Sequence, residues 1–114
     1  MKITKGDCGG INFRNQYSFQ VCQDGTYRLL KYAQNTSELL LNFRTSSAIH
    51  RGLNQLNVIA IVANGSKFDL YVNKQKIDNA SDSTYVAGAV GLLATPSYGN
   101  PTEVAYSDVK VWTL

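Results

Sequence analysis

The stretch Cys8-Gly9-Gly10-Ile11-Asn12-Phe13-Arg14-Asn15-Gln16-Tyr17-Ser18-Phe19-Gln20-Val21-Cys22-Gln23-Asp24-Gly25 decides the fold class. Gly9, Ile11 and Phe13 alternate with Gly10 and Asn12, and Tyr17, Phe19 and Val21 alternate with Ser18 and Gln20. A period of two is the mark of a strand with one buried face. Arg14-Asn15-Gln16 serves as a three-residue hairpin loop and pairs Phe13 with Tyr17, Ile11 with Phe19 and Gly9 with Val21. The same register sets Cys8 opposite Cys22 on the other face, close enough for a bridge after small adjustment. It favours a disulfide, with two free thiols as the alternative. Two cysteines and the lone His50 cannot complete a four-ligand zinc site without carboxylates.

Moving outward, Asp24-Gly25 reads as a type I′ turn, which needs positive φ at both central residues. It pairs Cys22 with Tyr27, Gln20 with Leu29 and Phe19 with Leu30, so residues 26–33 make a third strand. In that register Tyr27, Leu29 and Lys31 share the face of Gln20. Residues 35–51 are ambiguous. Asn35 and Glu38 resemble a helix capping box, but Asn42, Thr45, Ser46 and Ser47 are poor helix formers. A strand over Ser37–Arg44 is the better reading. Asn64-Gly65 is a second I′ signature, pairing Ile61 with Phe68 and Ile59 with Leu70. Asn73-Lys74 is a further turn before a strand at Gln75–Ile77, and Asn79–Thr84 reads as a polar loop. Ala87–Ala94 and Glu103–Leu114 complete the strands, the last containing Trp112. Short strands joined by Gly and Asn turns predict an all-β antiparallel sandwich in a single domain, 1–114.

Composition agrees. The chain has 114 residues, 44% hydrophobic and 17% charged, which excludes a disordered chain. The longest unbroken apolar stretch, Val58–Ala63, is far below the roughly 20 residues of a membrane helix. The opening Met1-Lys2-Ile3-Thr4-Lys5-Gly6 lacks a secretory apolar region, so any leader has been removed or belongs to a longer parent. Net charge is +3 and the basic residues are scattered, apart from Lys74 and Lys76 near a hairpin tip. A nucleic-acid domain shows a denser stripe, so no nucleic-acid partner is expected.

The ordered segments resemble a known superfamily. They are Gly9-Gly10-Ile11-Asn12-Phe13-Arg14, Tyr17-Ser18-Phe19-Gln20-Val21, Asp24-Gly25-Thr26-Tyr27, Leu53-Asn54-Gln55-Leu56-Asn57-Val58, Phe68-Asp69-Leu70-Tyr71-Val72-Asn73, Gly88-Ala89-Val90-Gly91-Leu92 and Val104-Ala105-Tyr106-Ser107-Asp108-Val109-Lys110-Val111. This string is similar to the concanavalin A-like lectin/glucanase jelly roll, closest to its laminin G-like and 3-keto-disaccharide hydrolase-like bacterial modules. The resemblance implies a jelly-roll sandwich and an extracytoplasmic recognition module within a larger surface, sensor or secreted protein. Such modules carry strands before the G-G-x-x-F-R segment, and the chain is expected to lack them. An open sheet edge, and a homodimer through it, would follow.

No catalytic residue is assigned. Glu38 and Glu103 are the only glutamates, and the E-x-D-x-x-E strand motif of the catalytic glucanases is absent. A glycosidase needs two facing carboxylates, and a serine hydrolase of the α/β class needs a G-x-S-x-G elbow, also absent. Asp78, Asn79, Ser81 and Asp82 are an oxygen-rich string that could hold calcium, without the EF-hand spacing. No cofactor is otherwise expected. The candidate ligand face is Asn12, Ser18, Gln20, Tyr27 and Lys31, with Arg14 at the hairpin end and Tyr98 at the rim. Amides and guanidinium groups bond sugar hydroxyls while a ring stacks on the C–H face. The expected function is therefore non-catalytic recognition of carbohydrate or another extracellular ligand. The alternatives are a glycoside hydrolase-like enzyme and a structural or engineered minimal β-sandwich. Asn35-Thr36-Ser37, Asn64-Gly65-Ser66 and Asn79-Ala80-Ser81 are glycosylation strings that matter only in a glycosylating host.

Overall fold

A computed structural model describes residues 1–33, 36–85, 91–95, 103–106 and 110–113. Every regular element among them is a strand: β1 (Lys2–Lys5), β2 (Cys8–Phe13), β3 (Tyr17–Cys22), β4 (Thr26–Ala33), β5 (Thr36–Thr45), β6 (Ile59–Asn64), β7 (Lys67–Val72), β8 (Gln75–Ser81), β9 (Gly91–Thr95), β10 (Glu103–Ala105) and β11 (Lys110–Thr113). A five-stranded sheet, β5-β4-β3-β2-β9, faces a four-stranded sheet, β11-β6-β7-β8, and β1 pairs with β10. Alternation supplies the core between the layers. Ile11, Phe13, Tyr17, Phe19, Val21 and Leu29 come from the larger sheet; Ile59, Ile61, Phe68, Leu70 and Val72 come from the smaller. Across the interface, the Phe68 ring meets Phe13 at 5.1 Å and Tyr17 at 4.8 Å between centroids. Such offset and edge contacts add to the area term of burial.

The β2–β3 hairpin has the expected register, from Phe13↔Tyr17 to Cys8↔Cys22, and the two cysteines are bridged. Arg14 and Asn15 carry the positive φ of its loop, at 51° and 61°.

The next hairpin differs by one residue. Val21 pairs with Tyr27, Phe19 with Leu29 and Tyr17 with Lys31. The Gly25 N–H bonds Cys22 O at 3.1 Å, and only Gly25 of the turn has positive φ, 88°. This is a three-residue loop with a glycine bulge, not the two-residue I′ turn. A slip of one residue exchanges faces. Tyr27 and Lys31 therefore point inward with Phe19, and Arg28, Leu30 and Tyr32 point outward with Gln20.

At Asn64-Gly65 the pairing is Ala63↔Phe68 and Ile61↔Leu70, two residues from expectation. Gly65 has φ of 59° and Ser66 is not left-handed, the II′ pattern. A shift of two preserves the faces, so the apolar face is the expected one. Asn73 and Lys74 form the turn before β8. That strand runs on to Ser81, where a polar loop was expected.

Both chain ends depart from expectation. β1 precedes the G-G-x-x-F-R segment and pairs with β10, so that segment has a strand before it. Met1 is buried, and its amino group donates to Asn57 O at 2.7 Å. Glu103–Leu114 is not one strand: β10 joins β1, whereas β11 runs parallel to β6. The long β5 lies at a sheet edge. Two register shifts bulge its ladder with β4, and bulges blunt an edge against further pairing.

Candidate functional site

The expected ligand face is divided by the register. Tyr27 and Lys31 belong to a polar seam between the layers. The Tyr27 hydroxyl donates to Asp78 at 2.8 Å, and Arg44 meets the same carboxylate at 2.8 Å. Four residues along, Tyr17 donates to Asp82 at 2.6 Å and Lys31 pairs with Asp82 at 3.0 Å and Glu38 at 3.2 Å. Two Tyr–Asp–cation units thus join the inner face of the larger sheet to β8 and the residue that follows it. Burial, then the hydrogen bond to its aspartate, pushes each phenol up to about 12. Burial would raise the Asp82 carboxyl, but hydrogen bonds from Tyr17, Lys31 and Thr84 outweigh it and hold the group well below the carboxylate range. Asp78 is lowered in the same way, with burial outweighed by bonds from Tyr27, Asn79 N–H and Arg44. Hydrogen bonds from Asp82 and Glu38 raise the Lys31 ammonium. The two carboxylates of the calcium string are thus each turned to a cation and a phenol. No group of three or more His, Cys, Asp or Glu placed to hold a metal occurs among the described residues.

Asn12, Ser18 and Gln20 do share the outer face, but Ser18 and Gln20 are buried, at 0% and 1% exposure. Gln20 Nε2 donates to Ser18 Oγ at 3.1 Å, and Arg28 Nε donates to Gln20 Oε1 at 2.6 Å. The Gln20 amide and the Ser18 hydroxyl are thus committed to partners within the protein. Asn12 is half-buried and its Oδ1 has no partner among the described residues. Arg14 is buried at the end of the sandwich, donating to Gly65 O at 2.6 Å and lying over the Phe68 ring. Tyr98 lies outside the described residues. His50 is an exposed loop residue whose Nδ1 sits 2.9 Å from Leu56 O.

The outer face does carry a concavity, farther along the strands than expected. A depression of about 440 Å³ opens beside the Cys8–Cys22 bridge. Asp7, Gln23 and Asp24 line it from the loops, and Thr26 and Phe43 line it from β4 and β5. Phe43 is 50% exposed, with the Arg28 guanidinium 4.7 Å from its ring centre. The Gln23 N–H bonds Asp7 O at 2.8 Å, which holds the two loops together. The Asp24 Oδ1 accepts from Thr26 N–H at 3.0 Å, fixing that carboxylate on the turn. An exposed ring beside amide, hydroxyl and carboxylate groups can stack on a ligand's C–H surface and bond its hydroxyls. The sequence signal for Phe43 was an aromatic residue between Asn42 and Arg44 on a strand, weak without the loop that faces it.

No family model matches the chain, and comparison with curated proteins and with solved structures finds no match. Among the described residues, no helix is long and apolar enough to cross a membrane.

Proposed function

We propose that the chain is a non-catalytic recognition module that binds carbohydrate in the depression beside the Cys8–Cys22 bridge. The observation that carries this reading is the half-exposed Phe43 ring set beside Gln23, Thr26, Asp7 and Asp24 in one concavity. Sugars are bound by this combination of a planar apolar face and short polar groups. The resemblance to the concanavalin A-like superfamily, with its jelly-roll connectivity, adds support from the sequence. The disulfide favours an oxidising, extracytoplasmic setting within a larger surface or secreted protein.

A glycan array tests the reading, followed by titration calorimetry with the wild type and Phe43→Ala. Binding of at least one saccharide, weakened at least about tenfold in the variant, is expected. Binding that Phe43→Ala leaves unchanged overturns this site, and an array without any binder overturns the function.

A further inference from the structure

Acidic side chains are distributed unevenly around the sandwich. Glu38, Asp69, Asp78 and Asp82 each meet a lysine or arginine within 3.2 Å. Asp7 and Asp24 make no ion pair among the described residues, and both line the depression beside the disulfide. This occurs in a chain of net charge +3, where cations outnumber acids. No lysine or arginine lines the depression among the described residues. The nearby Arg28 is engaged with Gln20 and the Phe43 ring. Asp24 keeps one carboxylate oxygen uncommitted, because Thr26 takes Oδ1 through both its N–H and its hydroxyl.

We infer that the depression selects a sugar bearing a protonated amine, a glucosamine unit with its nitrogen unacetylated. The proposal rests on the carbohydrate-binding reading and adds its charge class. A neutral sugar would leave both carboxylates competing with water for hydroxyl donors. A hydroxyl also bonds an ionised carboxylate, but an ammonium group adds opposite charge to those bonds and balances two carboxylates that no lysine or arginine pairs among the described residues. An acidic sugar would bring like charge to two unpaired carboxylates and be rejected.

The test is calorimetric titration at mildly acidic pH with three trisaccharides: glucosamine, N-acetylglucosamine and glucuronic acid. The glucosamine trimer is expected to bind at least about tenfold more tightly than the acetylated one. Its affinity should fall as salt is raised, and the acidic trimer should not bind. In Asp7→Asn/Asp24→Asn the preference for the amine should vanish while the acetylated trimer still binds. Equal affinity for the amine and acetylated trimers overturns the inference and leaves the sugar site standing. A preference that survives the double substitution overturns the role of the two carboxylates. Absence of binding by all three trimers, with binding of another sugar on the array, overturns the amine class alone. Absence of any sugar binding overturns the underlying reading too.

Discussion

The Tyr17 hydroxyl lies 2.6 Å from Asp82 Oδ1, so a buried phenol of the larger sheet is held by a carboxylate just beyond β8 of the smaller one. Tyr85 N–H donates to the same hydroxyl at 3.2 Å, and the Tyr17 ring stacks on Phe13 at 5.2 Å. Asp82→Ala leaves the buried hydroxyl without this acceptor and should cost about 1–3 kcal/mol. Tyr17→Phe takes one donor from Asp82, which keeps Lys31 and Thr84 N–H, and the acceptor of Tyr85 N–H, and should cost about 1 kcal/mol. Urea denaturation of the single and double variants measures both. A double variant no worse than Asp82→Ala would show that the two effects come from one bond.

The seam also sets the pH range of stability. Asp78 and Asp82 are depressed in the folded state, so the stability they supply is present above the ordinary carboxylate pKa of about 3.9 and is lost as pH falls below it. Tyr17 and Tyr27 are raised from 10.0 to about 12, so their contribution is present below pH 10 and is lost as pH rises from there toward 12. Lys31 is raised and acts in the same alkaline direction. Urea midpoints across pH should therefore form a plateau that falls at both ends. Asp82→Ala should flatten the acid limb, and Tyr27→Phe should reduce the loss on the alkaline one.

The Cys8–Cys22 bridge closes a loop with a sequence separation of 14. Chain-entropy arguments give about 3 kcal/mol for a loop of that size. Cys8→Ser/Cys22→Ser should lower stability by about 2–4 kcal/mol. Alkylation followed by mass measurement, with and without reductant, should find blocked cysteines only after reduction.

Lys74 occupies a positive-φ position, at 68°, in the Asn73-Lys74 turn. A β-carbon is disfavoured there, and Asn-Gly is the preferred pair for a type I′ turn. Lys74→Gly should stabilise the protein by about 0.5–1 kcal/mol, read as an upward shift in thermal midpoint without change in the ligand titration.

The first hairpin was legible because its loop and its two alternations agree on one register. The second was not, because Asp24-Gly25 fits two turn types that both place Gly25 at positive φ. They differ by one residue in pairing, enough to carry Tyr27 and Lys31 from the outer face to the seam. At Asn64-Gly65 the same kind of ambiguity shifted pairing by two and did no harm to the faces. The depression was hidden for another reason. Asp7, Asp24 and Phe43 belong to separate turns and strands, and their meeting depends on the bulged pairing of β4 with β5. Local alternation does not reveal where a bulge falls.

The parallel pairing of β11 with β6, and the joining of β1 to β10, bear on how the chain emerges during synthesis. Lys2 and Ala105 are partners roughly a hundred residues apart, so that ladder costs a long loop closure, whereas β2–β5 and β6–β8 can zip locally. A nascent chain halted before residue 103 would have two finished meanders, a first strand held on one side only, by its bridge and bonds to residues 54–57, and a bare edge on β6. In that interval the bare edge of β6 is open to strand exchange with neighbours, and the exposure lasts until β10 and β11 have been made.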